Sequence, residues 1–136
     1  MGVLIDSNVL IQFERARKDV ADYVRGREDE ESFLSVISAS ELLHGVHRAK
    51  NARTRARRLA FVEAALAHFP VLGIDLAVAR SHAQLWSELE KKGMMIGMHD
   101  SWLAATCLAH GLSIATDNAR EFERVPGIEV EVWGPR

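Results

Sequence analysis

Short runs that are apolar along their whole length recur through this chain, and they constrain its fold more than any other feature. Val3–Ile5, Phe33–Ile37, Pro70–Ile74 and Leu112–Ala115 are rich in β-branched residues, and each gives way to a polar residue and then to a stretch of helical period. The intervening stretches repeat apolar side chains three and four residues apart: Leu59, Val62, Leu66 and Phe69; Ala79, Leu85, Trp86 and Leu89; Trp102, Leu103, Thr106, Cys107 and Ala109. Strands with no polar face, separated by helices, belong in a mostly parallel sheet covered on both sides, so the class is α/β. A fifth run, Ile128–Trp133, alternates apolar and charged residues, which suits an edge strand with one wet face; Pro126-Gly127 turns into it and Gly134-Pro135 ends it.

The 136 residues predict one domain, 1–136, with a single core. A chain near this size buries roughly 68–70% of the surface its unfolded form exposes, enough to fold without disulfides or a structural metal. With 17 Lys and Arg against 19 Asp and Glu, the net charge of −2 excludes a uniformly basic nucleic-acid coat protein while leaving room for a local basic face. Cys107 is the only cysteine, Asp6 interrupts the opening before a signal-peptide core develops, and no apolar run approaches the roughly 20 residues that span a bilayer. These features predict a cytoplasmic protein with no membrane segment. The charge run Arg25–Glu31 reads as a solvated loop leaving a helix.

The acids stand where an α/β sheet builds its sites, outside the carboxyl ends of parallel strands. Asp6 follows Val3–Ile5, Glu41 lies a few residues past Phe33–Ile37, Asp117 follows Leu112–Ala115, and Asp100 opens a helix. Helix capping offers a plainer account of each one. Asp6 to Asn8 can start a helix, Ser38 with Glu41 and Asn118 with Glu121 match capping boxes, and Asp100 suits the positive end of a helix dipole. Capping does not explain why every major strand-to-helix junction on one side carries an acid. If the four converge, two carboxylates about 5 Å apart repel by roughly 3 kcal/mol at an effective dielectric near 20, so they must take up protons or a cation. Hard oxygen ligands select Mg²⁺ or Mn²⁺ over zinc. His44 and His47 have the spacing of a zinc pair, but no third ligand accompanies them.

A carboxylate-held divalent ion suits phosphodiester hydrolysis, because it activates water and neutralises charge growing on the phosphate. The chain carries no phosphate-binding Gly-Lys loop and no Gly-x-Ser-x-Gly elbow. Asp6-Ser-Asn8 resembles an Asp-x-Asp phosphotransferase pair but has Asn in place of the acid. Between Arg48 and Arg58 lie six cations and no acid, and Arg53, Arg55 and Arg57 are candidates for RNA phosphate contact; a solvated helix face is the alternative.

At these residues the sequence resembles the PIN-domain nucleases, and within them the VapC-type toxins of toxin–antitoxin pairs. The resemblance rests on Val3-Leu-Ile-Asp6-Ser-Asn-Val-Leu-Ile, Ser38-Ala-Ser-Glu41-Leu-Leu-His-Gly45, Ile96-Gly-Met-His-Asp100-Ser-Trp-Leu-Ala-Ala-Thr and Ala115-Thr-Asp117-Asn-Ala-Arg-Glu-Phe122, in that order along nearly the whole chain. Ser7 stands where relatives often carry Thr. The resemblance implies a three-layer α/β/α domain with about five strands that cleaves RNA with Mg²⁺ or Mn²⁺. It implies Asp6, Glu41, Asp100 and Asp117 as the catalytic cluster, Asp6 and Asp100 as direct metal ligands, and Asn8, Thr116 and Asn118 as polar support. Toxins of this kind form homodimers and are blocked by a cognate VapB-like antitoxin in a larger assembly, with an antitoxin Arg able to replace the metal. Leu10, Ile11, Phe13, Leu42, Leu43 and Val46 are candidates for that contact, with core packing as the alternative. A housekeeping PIN nuclease and a non-catalytic RNA- or protein-binding module are the competing functions. Met94–Met98 reads either as a loop beside the site or as core filler.

Overall fold

The computed structural model describes residues 2–132. The chain runs β1 (Gly2–Ile5), α1 (Ser7–Arg15), α2 (Val20–Val24), β2 (Glu31–Ser35), α3 (Val36–His47), α4 (Ala52–His68), β3 (Val71–Leu72), α5 (Leu76–Lys92), α6 (Met98–His110), β4 (Ser113–Thr116), α7 (Ala119–Phe122) and β5 (Val130–Val132). The five strands form one sheet in the order β3-β2-β1-β4-β5, and every pairing is parallel. The expected α/β/α architecture is therefore what forms.

Two apolar layers close the sheet. Ile5 turns to one side, where Val9, Leu10, Phe13, Tyr23, Phe61 and Val62 cover it from α1, α2 and α4. Leu4, its neighbour, turns to the other, against Leu85, Leu89, Leu103 and Phe122 from α5, α6 and α7. This alternation is the two-residue period of a strand, and because both faces are covered β1 shows no polar position at all. Gly2 has a separate reason to be small: a Cβ there would stand 2.6 Å from Leu112 Cδ2. Among the described residues no helix is long and apolar enough to cross a membrane.

The ends of β1 and β4 lie within a residue of Val3–Ile5 and Leu112–Ala115, and element ends differ further elsewhere. The run Phe33–Ile37 is divided, because Ser35 caps α3 with its Oγ accepting from the Ile37 amide at 3.0 Å, and Val36 and Ile37 begin the helix. Of Pro70–Ile74 only Val71 and Leu72 pair. Of Ile128–Trp133, Val130–Val132 forms the expected edge strand, while Trp133 and the terminating Gly134-Pro135 lie outside the described residues. Of the expected loop Arg25–Glu31, residues 25–30 form a loop between α2 and β2, with Gly26 in the left-handed region at φ 84°, while Glu31 already pairs with Gly2 as the first residue of β2.

Candidate active site

The strand order sets the site. Connections from β1 leave through β2 and β3 on one side, and the chain then crosses back to β4 on the other, so β1 and β4 are neighbours at the point where the winding reverses. Helices diverge there and leave a crevice at the carboxyl edge. Asp6 follows β1 and Asp117 follows β4, which brings residues more than a hundred positions apart to one rim.

Asp6 occupies the N-cap position of α1 but makes no side-chain cap hydrogen bond. Its Oδ2 instead accepts from Thr116 Oγ1 at 2.9 Å and from Asn8 Nδ2 at 3.2 Å. Thr116 Oγ1 in turn accepts from the Asn118 amide at 3.0 Å. Asn8 Oδ1 accepts from the Asp117 amide at 3.3 Å, and one helical turn later Gln12 Nε2 donates to Asp117 Oδ2. The acid is 4% exposed, and burial pushes its carboxyl up to about 6; Thr116 opposes that rise, while the charges of Glu41 and Asp117 add to it.

Asp100 lies in the first turn of α6. Burial, a hydrogen bond with Glu121, and repulsion from Asp6, Glu121 and Glu41 all hold its carboxyl well above the ordinary carboxylate range. Glu121 moves the opposite way, held low by that hydrogen bond, by the Gly97 amide at 3.1 Å and by Asn118 Nδ2 at 3.1 Å. The two carboxyls titrate as a pair, with the rise on Asp100 and the fall on Glu121. The first turn of α6 is itself tied to α5: His82 stacks on Trp102 with ring centroids 3.6 Å apart, and its Nε2 donates to Ser101 Oγ at 2.9 Å, which donates to the Met98 carbonyl.

The four predicted acids therefore share one electrostatic neighbourhood, and helix capping by Asp6, Ser38 or Asn118 does not occur. Ser35, not Ser38, caps α3, so Glu41 is two turns inside the helix; Ser38 has a buried hydroxyl with no hydrogen-bond partner. Asn118 stands at the N-cap of α7 without capping it, and its amide reaches Glu121 and, at 3.4 Å, Asp100. Sequence reading missed Glu121 as a site acid, having assigned it to a capping box, and missed Gln12. The available signals were a lone polar residue in the apolar stretch Val9–Phe13 and an acid one turn after Asn118.

Among the described residues no group of three or more His, Cys, Asp or Glu side chains is arranged to hold a metal ion, and this includes His44 and His47. The donor set nevertheless fits a hard divalent cation: it is carboxylate oxygen, the groups bonded to Asp6 are a hydroxyl and an amide rather than a cation, and the raised carboxyls of Asp6 and Asp100 mark charge that a cation could offset. His99 Nδ1 lies 3.5 Å from Glu41 Oε2 at the margin of the cluster.

The other candidates divide. Arg55 donates to the Ala49 carbonyl at 3.1 Å and Arg57 lies 3.6 Å from Glu14, while Arg53 is exposed near the start of α4. Leu10, Phe13 and Val46 belong to the core rather than to a contact surface, because α1 and α3 turn them under the sheet; Leu42 is also buried, and Ile11 and Leu43 are half-buried beside it. The 93–97 segment is a loop with Met94 and Met95 exposed, held by Arg124 donating to the Met95 carbonyl at 2.9 Å; Ile96 alone is buried.

The PIN domain family matches residues 3–128. The chain is 33% identical over 130 residues to a protein of Rickettsia felis named ribonuclease VapC1, covering 96% of this chain and 95% of that one. It is similar to the structure of a DNA-bound VapBC from Salmonella typhimurium, with a TM-score of 0.85, 29% identity and 98% of each chain covered. It is also similar to VapBC-5 of Mycobacterium tuberculosis, described as a member of the VapBC family of toxin-antitoxin systems, with a TM-score of 0.74, 26% identity and 98% of each chain covered.

Proposed function

The chain belongs to the PIN-domain family, and from that premise we propose that it is a divalent-metal-dependent endoribonuclease, the toxin of a toxin–antitoxin pair neutralised by a cognate VapB-like antitoxin. The observation that carries this reading is the set of acids just past β1 and β4 and on α3 and α6 that meet at the switch point, where burial first and then repulsion from neighbouring acids raise the carboxyls of Asp6 and Asp100. Asp6 and Asp100 would hold Mg²⁺ or Mn²⁺, which supplies water activation and charge neutralisation at the scissile phosphate. Thr116 and Asn8 orient Asp6 by hydrogen bonds to Oδ2. Glu41 or Asp117 would take or orient a water proton. Asn118 Nδ2 donates to both Asp100 and Glu121, and the Gly97 amide donates to Glu121, so these groups hold the two carboxylates together. Exposed Arg53, with Arg55 and Arg57, lends phosphate contact at the periphery.

The antitoxin blocks this site by bringing a guanidinium to the carboxylates, a charge-assisted substitute for the metal. Bound antitoxin and Mg²⁺ therefore compete. The protein acts in the cytoplasm, as a homodimer that assembles further with antitoxin. A purely structural role for the acids is disfavoured because neither Asp6 nor Asn118 caps its helix.

The test is cleavage of total cellular RNA by purified, antitoxin-free protein with Mg²⁺ or Mn²⁺, beside EDTA and an Asp6→Asn, Asp100→Asn double variant. Discrete cutting lost in both controls supports the reading. Cutting that persists in a folded double variant, or no cutting of any RNA, overturns it.

A further inference from the structure

A groove of about 580 Å³ runs between α1, α3 and α4 and opens onto the acid cluster, with Glu41 and His99 among its walls. Clefts of roughly 300–1,000 Å³ are the size that takes small ligands or a segment of a larger one. Arg15, Arg48 and Lys50 line it, all exposed, and their side chains form no hydrogen bond or ion pair among the described residues. Its other Arg is committed: Arg58 donates to the Gly45 carbonyl at 3.1 Å and lies 3.9 Å from Glu14. Glu14 is also met by Arg57, so the acid in this wall is already compensated.

We propose that this groove is the path of the RNA backbone, with Arg15, Arg48 and Lys50 contacting phosphates on the flank of the scissile bond. The inference rests on the endoribonuclease reading. A cluster of carboxylates repels the polyanion it must cut, so the strand needs cations beside the acids, and these three free cations lie in the cleft that is continuous with Glu41. Helix polarity offers a partial account of two of them, since Arg15 ends α1 and Arg48 is the C-cap of α3. It does not account for Lys50, which lies between α3 and α4, or for the three sharing one cleft. The groove adds to the peripheral contacts of Arg53, Arg55 and Arg57: Arg55 and Arg57 also have partners within the fold, whereas these three residues do not.

The experiment compares a triple variant, Arg15→Gln, Arg48→Gln and Lys50→Gln, with a charge-matched control on α5, Arg80→Gln, Lys91→Gln and Lys92→Gln. Each is measured for steady-state cleavage and, in the Asp6→Asn, Asp100→Asn background, for binding of a labelled single-stranded RNA as salt is varied. The expected result for the groove variant is a Kd raised roughly 10- to 100-fold at 0.1 M salt and a log–log salt slope reduced by about 2, with kcat and thermal midpoint unchanged. The control should match the parent. An unchanged Kd and slope in the groove variant, or equal losses in the control, overturns the proposal. So does a groove variant that loses antitoxin affinity while binding RNA as before, which would make the cleft a protein dock. A parent protein that cuts no RNA sinks the endoribonuclease reading itself, whereas a parent that cuts while groove variants bind normally sinks only this inference.

Discussion

Asp6 is both the best-supported acid in the cluster and a burden on the fold. Its carboxyl sits near 6 in the folded protein against 3.8 for the ordinary group, so the folded state holds the proton more tightly. Below pH 4 both states are protonated and there is no penalty; as pH rises from 4 through 6 the unfolded chain ionises first and stability is lost. The full cost at pH 7.5 is about 3 kcal/mol. In EDTA, urea denaturation should therefore show the protein more stable at pH 5 than at pH 7.5 in this window. Asp6→Asn should reduce that dependence, leaving the part in the same direction that the raised Asp100 carboxyl contributes, and raise stability at pH 7.5 while abolishing cleavage. A loss of about 1 kcal/mol instead would mean that Asp6 serves as a helix cap. Gln12 acts one step further out. Gln12→Leu removes the side-chain donor to the exposed Asp117 and should lower activity roughly 10- to 100-fold, the usual cost of losing support behind a site carboxylate, with little change in thermal midpoint. Wild-type rates in that variant would show that Asp117 needs no such support.

At the scale of elements, the start of α3 separates two serines that sequence alone ranks in the wrong order. Ser38 with Glu41 has the spacing of a capping box, yet the chain enters the helix three residues earlier and Ser35 does the capping. Ser35→Ala should cost about 1 kcal/mol in denaturant titration. Ser38→Ala should be neutral or stabilising, because the buried hydroxyl it deletes has no partner. The reverse order would place the helix start at Ser38. The helix was legible from period and composition, but its first residue was not. Val36 and Ile37 read equally well as the end of a strand or the start of a helix, and only the pairing of β2 with β1 and β3 decides between them. The same ambiguity kept Glu121 out of the site: one turn after Asn118 it looks like a cap partner, until α6 brings Asp100 against it.

At the scale of the whole molecule, two apolar layers hold the sheet without help from a cation, so chelation should end cleavage without unfolding the chain. Added Mg²⁺ or Mn²⁺ should raise the thermal midpoint with concentration at pH 7.5, as any ligand of the native state does, and should not do so in the Asp6→Asn, Asp100→Asn variant. An equal rise in that variant would place the binding elsewhere. The α/β class, the positions of the main strands and the four predicted acids were all readable in the sequence, because each follows from local periodicity and from what stands just after a strand. Strand order was not, since nothing local says that β1 pairs with β4 rather than with β2 alone. That order is what puts Asp6 beside Thr116 and brings its charge near Asp100. It also leaves Arg15, Arg48 and Lys50 together in one cleft while Arg57 is spent on Glu14. Local pattern is enough to pick out Asp6, Glu41, Asp100 and Asp117 as candidates, but that Glu121 and Gln12 join them is set by packing, because burial and charge act across space rather than along the chain.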